Sequence, residues 1–484
     1  MDKETVYDKS RLSSTVNHTL KMRANIRRVF WFFVLIFAAL VWNIALFVAA
    51  EAEEAVSNPF NPRMAGAADV VRGSIYDASG TVLAHSIVSG SSLLRSYPHG
   101  RDFVHVVGFD GFGRSGVENN IALTRASSQV WQRVQSLLSE GSEPIRANNL
   151  VLTLDAELSQ LAARHMNGRR GAVVVMEPST GKILAMTSYP NHDPNAIAAN
   201  WQELIADYSN APLLNRASQG LYPPGSVFKI TMAAAIHRHA HNHLEHYCNG
   251  EIFFDTPYGQ VRIQCYNGLA HGLLDVSRAF ALSCNTFFAR AVMEYIGAEN
   301  LRTVAQSMGF NTSLPFELGL GQSSFVLGEE SPVAEIIQTA IGQGRTLVTP
   351  LHMAMLTSAV ANGGIMMRPY VVDHALTASG REVSKVLPRA IGRVMDIDEA
   401  AFLSKIMTHA TSEGTGAPAA IPGVSVASKT GTAEVDSGAE HGWFVAFAPA
   451  EQPEVVVAII LEHSGGPGAA MSITRSLMEH ALGR

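Results

Sequence analysis

Strand-length apolar segments fall into two groups, near residues 171–186 and 424–461, and a single sheet has to reconcile them. Ala172-Val173-Val174-Val175-Met176 and Ile183-Leu184-Ala185-Met186 flank Pro178-Ser179-Thr180-Gly181. That is the pattern of a hairpin closed by a four-residue turn. Val424–Thr432, Trp443–Ala448 and Glu454–Leu461 follow much later, joined by short turns that contain Gly or Pro. The economical assembly is an α/β (α+β) domain: one five-stranded antiparallel sheet with helices on both faces. A helical insert, roughly residues 213–415, separates the two strand groups. Further helices are expected near Ala156–Met166 and Ser472–Leu482.

The N-terminal region adds a second constraint. Val29 to Ala50 carries no charge, and its length suffices to cross a hydrocarbon core of about 30 Å. Lys21, Arg23, Arg27 and Arg28 precede it and Glu51, Glu53 and Glu54 follow it. Basic residues before the span place the N-terminus in the cytoplasm and the bulk of the chain outside. Ala50-Glu51-Ala52 also fits a signal-peptide cleavage string, but the apolar run exceeds the usual h-region of about 7–15 residues, so an uncleaved anchor is preferred. The expected division is a cytoplasmic tail (1–28), an anchor (29–50), a small accessory domain (51–148) and a large domain (149–484). Within 51–148, Arg72-Gly73-Ser74-Ile75-Tyr76-Asp77 and Ser79-Gly80-Thr81-Val82-Leu83 read as two short strands. A helix is expected near Ala126–Leu138, and Glu140–Pro144 reads as a hinge.

A net charge of −6 without a dense basic stretch argues against nucleic-acid binding. Cys248, Cys265 and Cys284 have no C-x-x-C spacing, which disfavours a zinc site, and no metal or organic cofactor is expected. An external location permits a disulfide, and Cys248–Cys265 is the expected pair, flanking a strand-like segment from Ile252 to Ile263. His237, His239, His241, His243 and His246 read as a solvated helix end and loop.

Chemistry concentrates in three places. Tyr222-Pro223-Pro224-Gly225-Ser226-Val227-Phe228-Lys229-Ile230 stops the chain and then opens an apolar helix, with Ser226 near its start. Lys229, three residues on, shares a face with Ser226. Free N–H groups at a helix start favour a developing oxyanion, and a buried lysine can act as a base. Alone, this stretch is also an ordinary cap. Ser283-Cys284-Asn285 is a polar triplet inside an apolar run, which must find partners or face a cavity. Ser428-Lys429-Thr430-Gly431-Thr432 ends a strand, and Gly431 there admits a close backbone neighbour.

Ser-x-x-Lys, Ser-x-Asn and Lys-Thr-Gly, in that order, are the known signature of penicillin-binding proteins and class A β-lactamases. With these motifs the chain resembles the class B penicillin-binding proteins, and most the small penicillin-binding protein A type, over residues 70–480. Arg72–Asp77, Gly171–Val175, Pro178–Met186, His271-Gly272, Gly342-Gln343-Gly344, Thr349-Pro350 and Trp443-Phe444-Val445 also fit that family. The resemblance implies the serine β-lactamase/transpeptidase-like fold and a peptidoglycan D,D-transpeptidase. Ser226 is then the nucleophile and Lys229 its base. Ser283 relays a proton and Asn285 orients Lys229. Lys429, Thr430, Gly431 and Thr432 form the carboxylate-binding strand. The implied ligands are stem peptides ending in D-Ala-D-Ala and the β-lactams that mimic them. The implied partner is a glycosyltransferase of the SEDS type (RodA/FtsW-like). A D,D-carboxypeptidase, a β-lactamase or a β-lactam-sensing scaffold would share the acyl-enzyme. No water-activating group for a β-lactamase is identifiable in the sequence.

Overall fold

A computed structural model describes residues 25–43, 46, 70–89, 92–124, 145–240, 243–257, 259–435 and 438–484. The expected helix at 126–138, the hinge at 140–144 and the end of the expected anchor lie outside these. Contacts divide the chain into Met1–Ala68 and Asp69–Arg484. In the first unit, Asn25–Asn43 is one helix with a mean hydropathy of 1.6, long and apolar enough to cross a membrane.

The second unit contains the expected five-stranded antiparallel sheet. In chain order, the elements that build this sheet and carry the motifs are α1 (Ala156–Met166), β1 (Gly171–Met176), β2 (Ile183–Tyr189), α2 (Lys229–Ala240), α3 (Val276–Ala281), α4 (Asn285–Ala291), α5 (Pro350–Ala361), α6 (Ile397–Ser412), β3 (Ala427–Ala433), β4 (His441–Ala448), β5 (Val455–Leu461) and α7 (Gly468–Ala481). The strand order is β2-β1-β5-β4-β3. Strands from both ends of the domain meet at β1 and β5, where Val456 pairs with Met176 and Leu461 with Gly171.

Strand periodicity assigns alternate side chains to opposite layers. Val173, Val175, Phe444, Ala446, Val457 and Ile459 pack with Leu158, Ala162, Ile473 and Leu477 of α1 and α7. Val174, Val445, Phe447, Val456 and Ile460 face the other core, which holds α2, α5 and α6. Helix α5 is buried from Pro350 to Val360, as a helix that is apolar all round must be. Thr349 caps it by accepting from the His352 N–H at 3.1 Å, with Pro350 in the first turn.

A second sheet of six strands runs in the order Glu382–Lys385, Val372–Leu376, Asn149–Leu152, Ile75–Tyr76, Val82–Ser89 and Ser92–Ser96. It joins strands on both sides of residue 148. Asp77 fixes its first turn. One carboxylate oxygen accepts from the Ser79 and Thr81 N–H groups at 2.9 and 2.7 Å, and the other from Ala156 at 3.1 Å. Arg72 and Arg95 both pair with the buried carboxylate of Glu118. The expected strand from Ile252 to Ile263 is instead a hairpin of Glu251–Thr256 with Gly259–Gln264. Gly259, at φ +120°, makes the reversal that a continuous strand would not.

Candidate active site

Three segments meet where β3, the edge strand of the five-stranded sheet, faces the start of α2. Gly225–Phe228 forms a 3-10 turn that runs directly into α2, so Ser226 lies in the turn ahead of the helix. Two hydrogen bonds to its backbone hold this turn. The Gly225 N–H donates to the Gly342 carbonyl at 2.8 Å, and the Trp443 indole donates to Pro223 at 2.9 Å. Gly225 has φ +56°, and a Cβ on it would collide with the Thr432 carbonyl. A Cβ on Gly431 would stand 2.9 Å from Trp443 Cβ and 3.0 Å from Val227 Cγ1. The Pro-Pro-Gly-Ser turn and the Lys-Thr-Gly strand therefore touch as bare backbones.

Ser283 terminates the segment after α3, and Cys284 opens α4. Ser283 has φ +55°, a left-handed conformation that is costly for a residue with a side chain. The strained turn places its hydroxyl between two lysines. Lys229 Nζ donates to Ser283 Oγ at 3.2 Å and Lys429 Nζ to the same oxygen at 2.9 Å. Lys229 also donates to Asn285 Oδ1 at 2.7 Å and to the Ser283 carbonyl at 2.8 Å. Lys429 donates to the Thr430 carbonyl at 3.0 Å.

Both lysines are fully buried, so desolvation disfavours their charged forms. Burial brings Lys229 down to about 8. Burial first, and then the neighbouring Lys229 charge, hold Lys429 well below the usual lysine range. Each ammonium lies over an aromatic face, Lys229 above Phe288 at 5.4 Å and Lys429 above Phe280 at 5.5 Å.

All eight residues singled out in the sequence (Ser226, Lys229, Ser283, Asn285, Lys429, Thr430, Gly431 and Thr432) lie on the three segments that converge here. Others went unassigned. Thr415 shares a 2.6 Å hydrogen bond with Thr430 Oγ1, and Gln343 Nε2 donates to the Thr432 carbonyl at 3.4 Å. The Gly342-Gln343-Gly344 string marked the second of these, whereas Thr415 carries no local signal. Asn285 Nδ2 donates to the Gln264 carbonyl at 3.0 Å, which ties the second motif to the hairpin.

One expectation about cysteine needs correction, and the cysteines cluster in a way the spacing did not suggest. The Cys248–Cys265 disulfide is not formed: both are free, with sulfurs 3.7 Å apart. Cys265 is shared, because Cys284 approaches it at the same 3.7 Å. Spacing along the chain disfavoured a zinc site, yet the fold gathers Cys248, Cys265, His271 and Cys284, with ligand atoms all within 4.8 Å of one another. Part of the histidine run is a helix end and loop: His237 and His239 occupy the last turn of α2 and His243 is exposed, while His241 lies outside the described residues. His246 departs from that expectation, because it starts the strand His246–Cys248 and is half-buried, 3.0 Å from Thr286 Oγ1.

This sheet, its helical layers and the three converging motifs define a serine transpeptidase of the penicillin-binding type. The chain belongs to the penicillin-binding protein transpeptidase family, whose domain matches residues 171–479. Peptidoglycan D,D-transpeptidase PbpA of Mycolicibacterium smegmatis is 32% identical, over 96% of this chain and 98% of that protein. Penicillin-binding protein A of M. tuberculosis, solved as a ceftriaxone acyl-enzyme complex, superposes with a TM-score of 0.79 at 32% identity, covering 86% of this chain and 99% of that one. A D,D-transpeptidase domain from Eggerthella lenta gives 0.76 at 31% identity, covering 86% and 99%.

Proposed function

We propose that this protein is a peptidoglycan D,D-transpeptidase that cross-links stem peptides through an acyl-enzyme on Ser226, and that β-lactams acylate the same serine. The observation that carries the reading is the single Ser283 hydroxyl held by Lys229 at 3.2 Å and Lys429 at 2.9 Å. This is a short proton path inside a buried site with two lysines.

Lys229, favoured in its neutral form by burial, takes the Ser226 proton as Oγ attacks the carbonyl of the penultimate D-Ala. The Ser226 Oγ–C bond forms first, giving a tetrahedral oxyanion, and the peptide C–N bond breaks as that intermediate collapses. The proton reaches the departing D-Ala amine through Ser283. Asn285 holds Lys229 in place by its 2.7 Å bond. Lys429, Thr430 and Thr432 receive the substrate's terminal carboxylate, with Gly431 keeping the strand close to Val227. Backbone N–H groups of Ser226 and Thr432 stabilise the tetrahedral oxyanion, and one such donor is worth about 2.7–4 kcal/mol. The amine of a neighbouring stem peptide then displaces Ser226 and restores the free enzyme.

The helix Asn25–Asn43 supports a single-pass anchor, and the basic residues ahead of it favour an N-terminus in the cytoplasm and a catalytic domain outside. An anchored transpeptidase of this kind needs newly polymerised glycan, and a SEDS-type polymerase is the proposed partner. Residues 51–148 are the proposed accessory domain and 149–484 the proposed catalytic domain.

Intact-mass analysis after incubation with benzylpenicillin tests the chemistry. One stable adduct on the wild type and none on Ser226→Ala is expected. An adduct that survives Ser226→Ala would refute the assignment.

A further inference from the structure

The chain has three cysteines, and all of them converge behind the Ser283–Asn285 turn. Cys248 ends the short strand His246–Cys248, Cys265 opens the turn after the hairpin, and His271 directly precedes the strand Gly272–Leu274. Cys284 caps α4. The sulfurs of Cys248 and Cys265 are 3.7 Å apart, as are those of Cys265 and Cys284, and His271 Nδ1 lies 3.4 Å from Cys248 Sγ. All three cysteines are buried.

A tetrahedral zinc ion has Zn–S distances near 2.3 Å and Zn–N distances of about 2.0–2.1 Å. Those bond lengths place two sulfurs about 3.8 Å apart, and sulfur and nitrogen about 3.5 Å apart. Three of the six edges of that tetrahedron, two S–S and one S–N, match these lengths, and the other three are at most 4.8 Å. A disulfide needs about 2.05 Å. Three thiolates and an imidazole are a borderline-soft donor set, with four groups and no carboxylate, the composition of a closed structural zinc site. An outer layer is also present: Thr286 Oγ1 lies 3.2 Å from Cys284 Sγ, and His246 Nε2 lies 3.0 Å from that hydroxyl.

We propose that Cys248, Cys265 and Cys284 as thiolates, with His271 through Nδ1, hold one zinc ion that fixes the Ser283–Asn285 turn from behind. Binding releases three thiol protons to solvent, and no electron is transferred. The ion links four separate segments, and one of its ligands, Cys284, lies between the residue that bridges both lysines and the residue that accepts from Lys229. It thereby holds Ser283 at its strained φ and connects Asn285 to the hairpin. Cys248 and His271 are positioning residues, since neither touches either lysine. Zinc binding stands independently of the catalytic reading; the coupling to acylation rests on it.

The test uses the full-length protein purified in detergent without chelators. Elemental analysis is expected to find one zinc per chain. Cobalt exchange is expected to give the absorption of a tetrahedral thiolate site. Removing zinc with a strong chelator should expose three alkylatable thiols and slow penicillin acylation at least tenfold, with recovery on adding zinc chloride. Cys248→Ser should bind zinc at least tenfold more weakly and acylate at the wild-type rate only in excess zinc. If that variant does not fold, wild-type stoichiometry and the cobalt spectrum still decide. Protein that stays zinc-free after incubation with zinc chloride, or that contains a Cys248–Cys265 disulfide, overturns the site. An unchanged acylation rate after zinc removal overturns the coupling. A protein that binds zinc but never acylates supports the site and refutes the catalytic reading alone.

Discussion

Acylation should climb steeply with pH through neutrality, because the base that burial creates is useful only when neutral. Lys229 is brought down to about 8 by burial. Its neutral fraction is then about 1 in 100 at pH 6, about 1 in 11 at pH 7 and about 10 in 11 at pH 9. The expected second-order rate constant for benzylpenicillin therefore rises roughly tenfold from pH 7 to pH 9, and close to a hundredfold from pH 6. Rapid-quench sampling followed by intact mass gives the rate at each pH. Ser226→Ala corrects for non-enzymatic opening of the drug. Loss of folding should contribute little over this range, because half-buried His105 and buried His352 are both held near 4 in the fold and so stay neutral from pH 6 upward. Lys229→Ala should lower the rate at least a hundredfold and remove the ascending limb. A wild-type rate that is flat from pH 6 to 9 would refute Lys229 as the base, as would an ascending limb that persists in Lys229→Ala.

Gly225→Ala should cost on the order of 1–3 kcal/mol from its φ of +56° alone and should abolish acylation, because the new Cβ meets the Thr432 carbonyl; acylation at the wild-type rate would contradict the close contact. Glu462 accepts from Arg216 and from the Tyr222 hydroxyl, each at 2.8 Å. Glu462→Ala should therefore destabilise the fold by about 3–5 kcal/mol, read as a lowered denaturation midpoint, by stranding a buried Arg216. Below pH 6.5 the fold should lose stability. His105 and His352 titrate near 6.5 when unfolded but near 4 in the fold, so their contribution is complete above 6.5 and lost as pH falls toward 4. Urea midpoints that do not change between pH 7 and pH 4.5 would contradict this.

The five-stranded sheet was legible because its central strands, β1 and β5, are buried on both faces and read as near-continuous apolar runs. The six-stranded sheet was not. Ile75–Tyr76 and Asn149–Leu152 are too short to announce their partners, and Val372–Leu376 arrives more than two hundred residues after Asn149–Leu152. The reacting residues were legible because motif order constrains them jointly. What joins them was not: the positive φ of Ser283 and the Thr415–Thr430 bond are products of packing, with no local pattern. The cysteines show the same limit. Sequence spacing describes ligands on one loop, whereas Cys248, Cys265, His271 and Cys284 come from separate short elements brought side by side only in the folded chain.

The strand order has a consequence for how the protein is made. β1 and β2 leave the ribosome early, but their sheet neighbour β5 comes almost last, and β3 with Lys429 follows Ser226 by about two hundred residues. A nascent chain that stops before residue 427 already contains Ser226, Lys229, Ser283 and Asn285, but has no strand to stand opposite them. Reactivity toward penicillin is therefore a property of the finished polypeptide, acquired in one late step when the C-terminal strands close the sheet. The long sequence separation of that pairing makes it slow to find. Until then the early hairpin carries an open edge, the kind of edge through which incomplete chains pair with one another.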